Sequence, residues 1–301
     1  MSTKTKAWIG AFRLRTLPLA IAGIILGSFL AKAQESFSWN IAIWAVITAV
    51  FLQVLSNLAN DYGDFSKGTD NDNRVGPERA LQSGKITKKQ MKNALILFSI
   101  FSLISGIYLL WLSFGTAKLM YALIFLIIGL LSIWAAIKYT VGKTAYGYQG
   151  LGDVFVFIFF GWVSVVGVYF LHVQSIDISI FLPASTLGLL SAGVLNLNNT
   201  RDIVNDKESG KITLAVKLGY TNARKYQMLL FVLAIVLSSI YTSLFGTGVW
   251  QQLYWISVIP LAIVVVKTYG ATSPKELDPL LKIQALSTLI YAISFGIGQV
   301  I

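Results

Sequence analysis

Trp39 opens an apolar run that ends at Ser56, and the chain then reads Asn57-Leu-Ala-Asn60-Asp61-Tyr-Gly-Asp64, with Asp70 and Asp72 following. A run of this length approaches the ~20 residues that cross a ~30 Å hydrocarbon layer. It stops abruptly in carboxamides and carboxylates spaced one helical turn apart. The same succession recurs later: an apolar segment over 178–196 precedes Asn198-Asn199-Thr-Arg201-Asp202-Ile-Val-Asn205-Asp206. Two membrane-length segments that each end in an acidic cluster describe a polytopic chain with its polar chemistry at the bundle mouth.

The whole composition agrees. Of 301 residues, 55% are hydrophobic and only 12% charged, which is too apolar for a soluble domain of this size. Nine apolar segments are predicted to span, near 17–33, 39–56, 94–113, 118–137, 154–173, 178–196, 227–245, 252–267 and 281–300. Short alternating runs that would mark strands are absent, so the expected class is all-α: one transmembrane domain over 1–301, with nine helices around a central cavity. With the N-terminus in the cytoplasm, all but two (Lys32 and Lys118) of the 24 Lys and Arg fall on cytoplasmic loops. Trp39, Trp111, Trp250 and Trp255 then fall near the outer ends, as an aromatic belt should.

The formal charge of +11 therefore reflects topology first, with some attraction to anionic lipid. No basic soluble face is offered to nucleic acid. The absence of Cys excludes disulfides and thiolate chemistry, and His172, the only histidine, is expected to have no chemical role. The basic start, the apolar run from Leu17 and Ala31-Lys32-Ala33 mimic a cleavable secretory signal. Eight further spans and a lysine at the cleavage position favour an uncleaved first helix.

The longest polar region, 57–93, turns several times through Gly63, Gly68, Gly76, Pro77 and Gly84, and Thr87 with Gln90 forms a capping box for the next helix. Ser83-Gly84-Lys85-Ile86-Thr87 recurs as Ser209-Gly210-Lys211-Ile212-Thr213, each time downstream of an acidic cluster. This faint repeat implies two halves that bring both clusters to one cavity.

Asn60 and Asp64 are four residues apart, as are Asp202 and Asp206, so on a continuing helix each pair shares a face. Asp61 lies about 100° round from Asn60, placed for a second metal or a cap. Magnesium prefers carboxylate and phosphate oxygens and keeps several waters, so two facing patches suit a diphosphate held through such ions. The plainer alternative is that Asp and Asn merely cap helix ends. Cations accompany both clusters: Lys67, Arg74 and Arg79 beside the first, Arg201, Lys207 and Lys211 beside the second. Arg grips phosphate through paired N–H bonds and Lys acts as a point charge, although topology alone accounts for many of them.

These residues carry a resemblance. The chain resembles the UbiA superfamily of intramembrane aromatic prenyltransferases, whose NDxxDxxxD and DxxxD motifs follow the second and sixth of nine helices. Asn60, Asp61 and Asp64 match the first motif, and Asp202 and Asp206 match the second. The last Asp of the first motif is replaced by Gly68, with Asp70 two positions later. That ending is similar to the branch acting on 1,4-dihydroxy-2-naphthoate in menaquinone synthesis. Arg15-Thr16-Leu17-Pro18, Tyr146-Gly-Tyr-Gln-Gly-Leu-Gly-Asp153 and Gly210-Lys-Ile-Thr-Leu-Ala-Val-Lys-Leu-Gly219 agree with it.

The resemblance implies a bacterial inner-membrane enzyme with its active-site mouth on the cytoplasmic side. It would transfer a polyprenyl group from polyprenyl diphosphate to 1,4-dihydroxy-2-naphthoate, with loss of CO₂ and diphosphate, and need no obligatory protein partner. Mg²⁺ would be held by Asn60, Asp61, Asp64, Asp202 and Asp206, and the four aspartates among them would be catalytic. Asn57, Lys67, Arg74, Arg79, Asn199, Arg201 and Lys211 would bind diphosphate. Tyr139, Lys143, Tyr146 and Tyr148 would orient the aromatic acceptor under a lid, or else belong to an interfacial belt. Phe155, Phe157, Phe159 and Phe160 read as packing or lipid contact. The alternatives are transfer to another acceptor (4-hydroxybenzoate, homogentisate or haem) and, from another class, an ion-coupled transporter. The transporter fits less well because such proteins place ionisable groups near mid-membrane.

Overall fold

The computed structural model describes residues 2–71, 75–77 and 79–301. Arg74 and Asp72, both expected at the first acidic cluster, lie outside the described residues. In chain order the helices are α1 (Thr3–Phe12), α2 (Leu17–Ala33), α3 (Trp39–Ser66), α4 (Lys88–Phe114) and α5 (Leu119–Lys138). They continue with α6 (Gly152–Val173), α7 (Phe181–Arg201), α8 (Ile203–Glu208), α9 (Leu214–Phe245), α10 (Trp255–Gly270) and α11 (Asp278–Val300). Among the described residues, nine helices are long and apolar enough to cross a bilayer, as expected.

Their ends differ from the expected spans where the site lies. Apolar patterning stops at 56, but α3 continues to Ser66, because nothing breaks the helix before Gly68. The helix closes with paired bonds from Thr69 N–H to Asp64 O and from Gly68 N–H to Phe65 O, with Gly68 left-handed at φ 74. Glycine alone adopts that conformation without steric cost. Likewise α4 begins at Lys88, capped by Thr87 and Gln90 as expected, and α9 begins at Leu214 and kinks at Gly219. Polar helical turns thus extend the bundle beyond its apolar band.

The main core joins α2, α6, α7, α9, α10 and α11 through Leu26, Val165, Leu187, Ala234, Leu261 and Phe295. Inside lipid the helices gain little from apolar burial alone, so close packing of small residues and satisfied polar groups hold them. A Cβ on Gly188 would lie 2.7 Å from the Phe157 carbonyl oxygen, and one on Gly161 would lie 2.7 Å from that of Ala184. Buried polar groups bond across helices: Asn196 to Gln227 at 2.9 Å, and Ser238 with the Tyr291 hydroxyl at 2.9 Å. A second core docks the N-terminal helix, with Ala11 packed against Leu55, Leu58 and Met91. By contrast α5 is turned outward, exposing Met120, Leu123, Ile127 and Leu131.

Two details set the cavity wall. Over Phe157–Val166 the sixth helix is π-helical, a wider winding common at functional sites. At its far end His172 accepts a hydrogen bond from Ser38 N–H at 3.2 Å and stacks on Phe37, fastening the loop ahead of α3.

The close approach of α6 and α7 is directly testable. Gly188→Ala is expected to destabilise the protein by about 1–3 kcal/mol through overpacking. Gly129→Ala, where a Cβ meets nothing within 4 Å, should leave the unfolding midpoint in detergent unchanged.

Candidate active site

A cavity of about 1050 Å³ runs into the bundle and changes character along its length. Arg13, Asn57, Asn60, Asp64, Arg79, Asp202, Asp206 and Lys211 line one end. Leu19, Ile24, Leu52, Phe125, Phe159 and Val163 line the apolar remainder. That division suits an amphiphile with an anionic head and a long hydrocarbon tail.

Helical continuation of α3 decides what faces the polar end. Asn57, Asn60 and Asp64 share one face and line the cavity. Asp64 accepts hydrogen bonds from the Tyr148 hydroxyl at 2.8 Å and from Lys211 Nζ at 3.2 Å. Asn57 donates to the Phe12 carbonyl and to Thr16 Oγ1, both at 3.0 Å, and so ties α3 to the first loop. Asp61 faces elsewhere: it is buried, hydrogen-bonded to Arg13 Nη2, with Arg79 Nε 3.6 Å away. Its side chain does not line the cavity, but both arginines engage Oδ1 and leave Oδ2 buried without a hydrogen-bond partner.

The second cluster is split by a helix break. α7 ends at Arg201, Asp202 forms the junction, and α8 carries Asp206 one turn on, its N–H bonded to Asp202 O at 2.9 Å. Arg201, expected at the diphosphate, is instead fully buried as a strut. Nε and Nη2 donate to the two oxygens of Asp202 at 2.9 and 2.6 Å, and Nη1 donates to Asp278 at 2.6 Å. It therefore holds Asp202 in place.

The two clusters meet through Lys211, whose Nζ lies 3.2 Å from Asp64 and 3.9 Å from Asp206. Burial works against this ammonium, but the carboxylates outweigh it and hold its pKa above the ordinary lysine range. Asn205 adds a second tie, donating to the Thr69 carbonyl at 2.9 Å. Gly68 explains why the usual aspartate is missing there. Its left-handed conformation turns the chain so that Thr69 meets Tyr148 at 2.6 Å, while Asp70 sits 3.8 Å from Arg79.

The remaining candidates separate clearly. Tyr139 and Tyr146 line the cavity. Tyr146 is held by its bond to the Ala135 carbonyl and by stacking on Phe155 at 3.9 Å. Tyr148 supports Asp64, and burial, then the Asp64 charge, push its phenol pKa up, so it stays a donor. Lys67 Nζ sits 3.6 Å from the centroid of the Tyr148 ring. Lys143 is exposed away from the cavity, and Asn198 rather than Asn199 lines it. Phe155, Phe159 and Phe160 line it as well, where packing or lipid contact was expected, Phe155 from the α-helical turn ahead of the π-helical segment and the other two from within it. Sequence reasoning missed Arg13, Arg15, Thr16, Asn198 and Asp278, all of which line the cavity. From sequence the two arginines read as topological charges, although Arg15 opens the Arg15-Thr16-Leu17-Pro18 stretch and Arg13 lies two residues before it.

The donor set fits Mg²⁺. Asn60 Oδ1 is buried without a hydrogen-bond partner on the residue that lines the cavity beside Asp64. Among the described residues no three carboxylates form an all-protein cage. Few hard oxygen ligands, with waters and phosphate oxygens completing the shell, is the usual arrangement for Mg²⁺. Because Tyr148 aims the Asp64 carboxylate, Tyr148→Phe is expected to weaken Mg²⁺-dependent binding of a diphosphate analogue about tenfold to a hundredfold. An equilibrium titration checks this, and an unfolding midpoint close to the parent's would exclude a general loss of structure.

Comparison with known proteins places this geometry in context. The model of the UbiA prenyltransferase family matches residues 20–285. The chain is 42% identical over 296 residues to the 1,4-dihydroxy-2-naphthoate octaprenyltransferase of Escherichia coli (strain K12), covering 98% of this chain and 96% of that protein. Among solved structures, the apo UbiA homolog from Aeropyrum pernix K1 matches at TM-score 0.67 and 17% identity, covering 96% of each chain. A UbiA homolog from Archaeoglobus fulgidus, solved bound to DMAPP and Mg²⁺, matches at TM-score 0.56 and 17% identity, covering 94% of this chain and 98% of that one. With the family model matching most of its length and a relative 42% identical over nearly all of it, the chain belongs to the UbiA prenyltransferase family.

Proposed function

We propose that this protein transfers a polyprenyl group from polyprenyl diphosphate to 1,4-dihydroxy-2-naphthoate, releasing diphosphate and CO₂ and giving the demethylmenaquinone precursor. The observation that carries the reading is the meeting of both motifs at Lys211, at the polar end of an apolar cavity. The near full-length identity to a naphthoate octaprenyltransferase supports the choice of acceptor.

Asn60, Asp64, Asp202 and Asp206 would hold Mg²⁺ with the substrate diphosphate. When bound, the metal supplies positive charge to the phosphate oxygens and eases departure of the diphosphate. Arg79 and Lys211, already at that end, offset the charge that builds on the leaving group. Tyr148 and Arg201 hold Asp64 and Asp202 in place. Tyr139 and Tyr146 wall the space beside the reacting prenyl carbon, where the electron-rich naphthoate ring attacks. Loss of the acceptor carboxylate as CO₂ balances the charge of the incoming allylic cation. The apolar walls keep water from that cation. The polar mouth faces the cytoplasm in this reading, where the charge-rich loops belong.

Purified protein given 1,4-dihydroxy-2-naphthoate, a short prenyl diphosphate and Mg²⁺ is expected to yield a prenylated, decarboxylated naphthol by mass spectrometry, and none with EDTA. Turnover with another aromatic acid but not with naphthoate would keep the chemistry and overturn the acceptor. Asp64→Ala and Asp202→Ala should each lower turnover by at least about a hundredfold while the protein still inserts and purifies. Near-parental rates in either variant would remove that residue from the site.

A further inference from the structure

The polar face of α3 continues past the acidic motif into the apolar part of the cavity. Gln53, Asn57, Asn60 and Asp64 follow one another at helical spacing, and all four line the catalytic cavity. Gln53 lies eleven residues before Asp64, about 16 Å along the axis at 1.5 Å per residue. At that depth it takes no part in holding metal or diphosphate. Only 9% of Gln53 is exposed, so each of its polar atoms calls for a partner.

Hydrogen bonding fixes which way this carboxamide points. The Phe12 carbonyl can only accept, so Asn57 turns Nδ2 toward it at 3.0 Å and leaves Oδ1 facing Gln53. Gln53 answers with Nε2 at 3.2 Å. Thr16 imposes the same orientation independently. Its hydroxyl donates to the Arg13 carbonyl at 2.9 Å, so Oγ1 accepts from Gln53 Nε2 at 3.2 Å and from Asn57 Nδ2 at 3.0 Å. Both N–H groups of Gln53 are therefore occupied, and among the described residues nothing donates to its Oε1. A tie between α3 and the first loop accounts for the nitrogen and leaves the oxygen unexplained. That oxygen is a fixed acceptor in a cavity lined here by Leu19, Ala49 and Leu52.

The ligand group that satisfies this oxygen must donate a hydrogen bond. A diphosphate offers acceptor oxygens only, and a prenyl chain offers neither donor nor acceptor. The dihydroxynaphthoate does carry donors. Its hydroxyl ortho to the carboxylate bonds internally to that carboxylate, which leaves the 4-hydroxyl as the free donor. The carboxylate belongs at the cationic end of the cavity, beside Arg79 and Lys211, and this directs the 4-hydroxyl inward. We infer that Gln53 Oε1 accepts a hydrogen bond from the 4-hydroxyl of the aromatic acceptor, so that Gln53 selects acceptors of the hydroquinone type. Thr16 and Asn57 are positioning residues that hold the carboxamide ready, so that little rotamer freedom is lost on binding. This assignment rests on the prenyl-transfer reading.

Full-length protein in detergent, with Mg²⁺ and an unreactive prenyl diphosphate analogue, would be titrated with 1,4-dihydroxy-2-naphthoate and with 1-hydroxy-2-naphthoate. The parent is expected to bind the first about tenfold more tightly. Gln53→Met keeps the side-chain volume and removes the acceptor oxygen, so it should bind both with the parent's affinity for the second. Comparing the two ligands in the two proteins isolates the single hydrogen bond, because a purely structural role would weaken both ligands equally. An unchanged preference in Gln53→Met, or an equal loss for both ligands, overturns the inference. So does the absence of a preference in the parent, a result that stands even if Gln53→Met fails to fold. Turnover of the dihydroxy acid, followed in parallel by mass spectrometry, reads the prenyl-transfer assignment separately. Turnover without the binding preference keeps that assignment and removes only the role of Gln53. Turnover with another aromatic acid but none with naphthoate overturns both.

Discussion

The ammonium of Lys211 is the contact on which the site depends. Asp64 and Asp206 belong to separate helices, and two carboxylates approaching each other at a poorly hydrated mouth repel. Lys211 sits between them and turns that repulsion into a bridge. Its own place is set locally: Gly210 supplies a left-handed turn, Lys211 N–H bonds to the Asp206 carbonyl at 2.7 Å, and Thr213 starts the next helix. One residue therefore couples the loop after α3 to the loop after α7, and the two halves of the bundle share a cavity.

Around that bridge the charged groups divide their work. Asp61 is held by Arg13 and Arg79, and Asp202 by Arg201. Asn60, Asp64, Asp202 and Asp206 line the polar end of the cavity. A buried carboxylate without a counter-charge would be costly, so each arginine lets a further acid stay in a region with little water. The sequence motifs look like rows of equivalent ligands. In the folded site they are not equivalent: Asp61 and Asp202 are engaged by arginines, whereas Asp64 and Asp206 flank the Lys211 ammonium.

Much of this was legible beforehand for definite reasons. Membrane-length apolar runs show in any window of the chain, because each span must satisfy its own backbone hydrogen bonds. The capping box at Thr87 and the one-turn spacing of Asn60 and Asp64 depend only on neighbours in sequence, and both appear as expected. The repeat around Gly84 and Gly210 also proved structural, since left-handed glycine and a threonine cap are local devices. The inward placement of Phe159 and Phe160 was not legible, because a π-helical segment changes which residues share a face without changing composition. Nor was the burial of Arg201, because its partner Asp278 is remote in sequence.

By itself, then, the amino-acid sequence determined the class, the number of spans and the two motifs, since these follow from hydrophobic length and helical periodicity. Only the tertiary structure decided which charges meet. Arg13 with Asp61, Tyr148 with Asp64, Lys211 with both motifs and Arg201 with Asp278 are all pairings between separate segments. The physical reason is range: patterning acts through residues a few positions apart, whereas ion pairing depends on distances that exist only after the helices have packed.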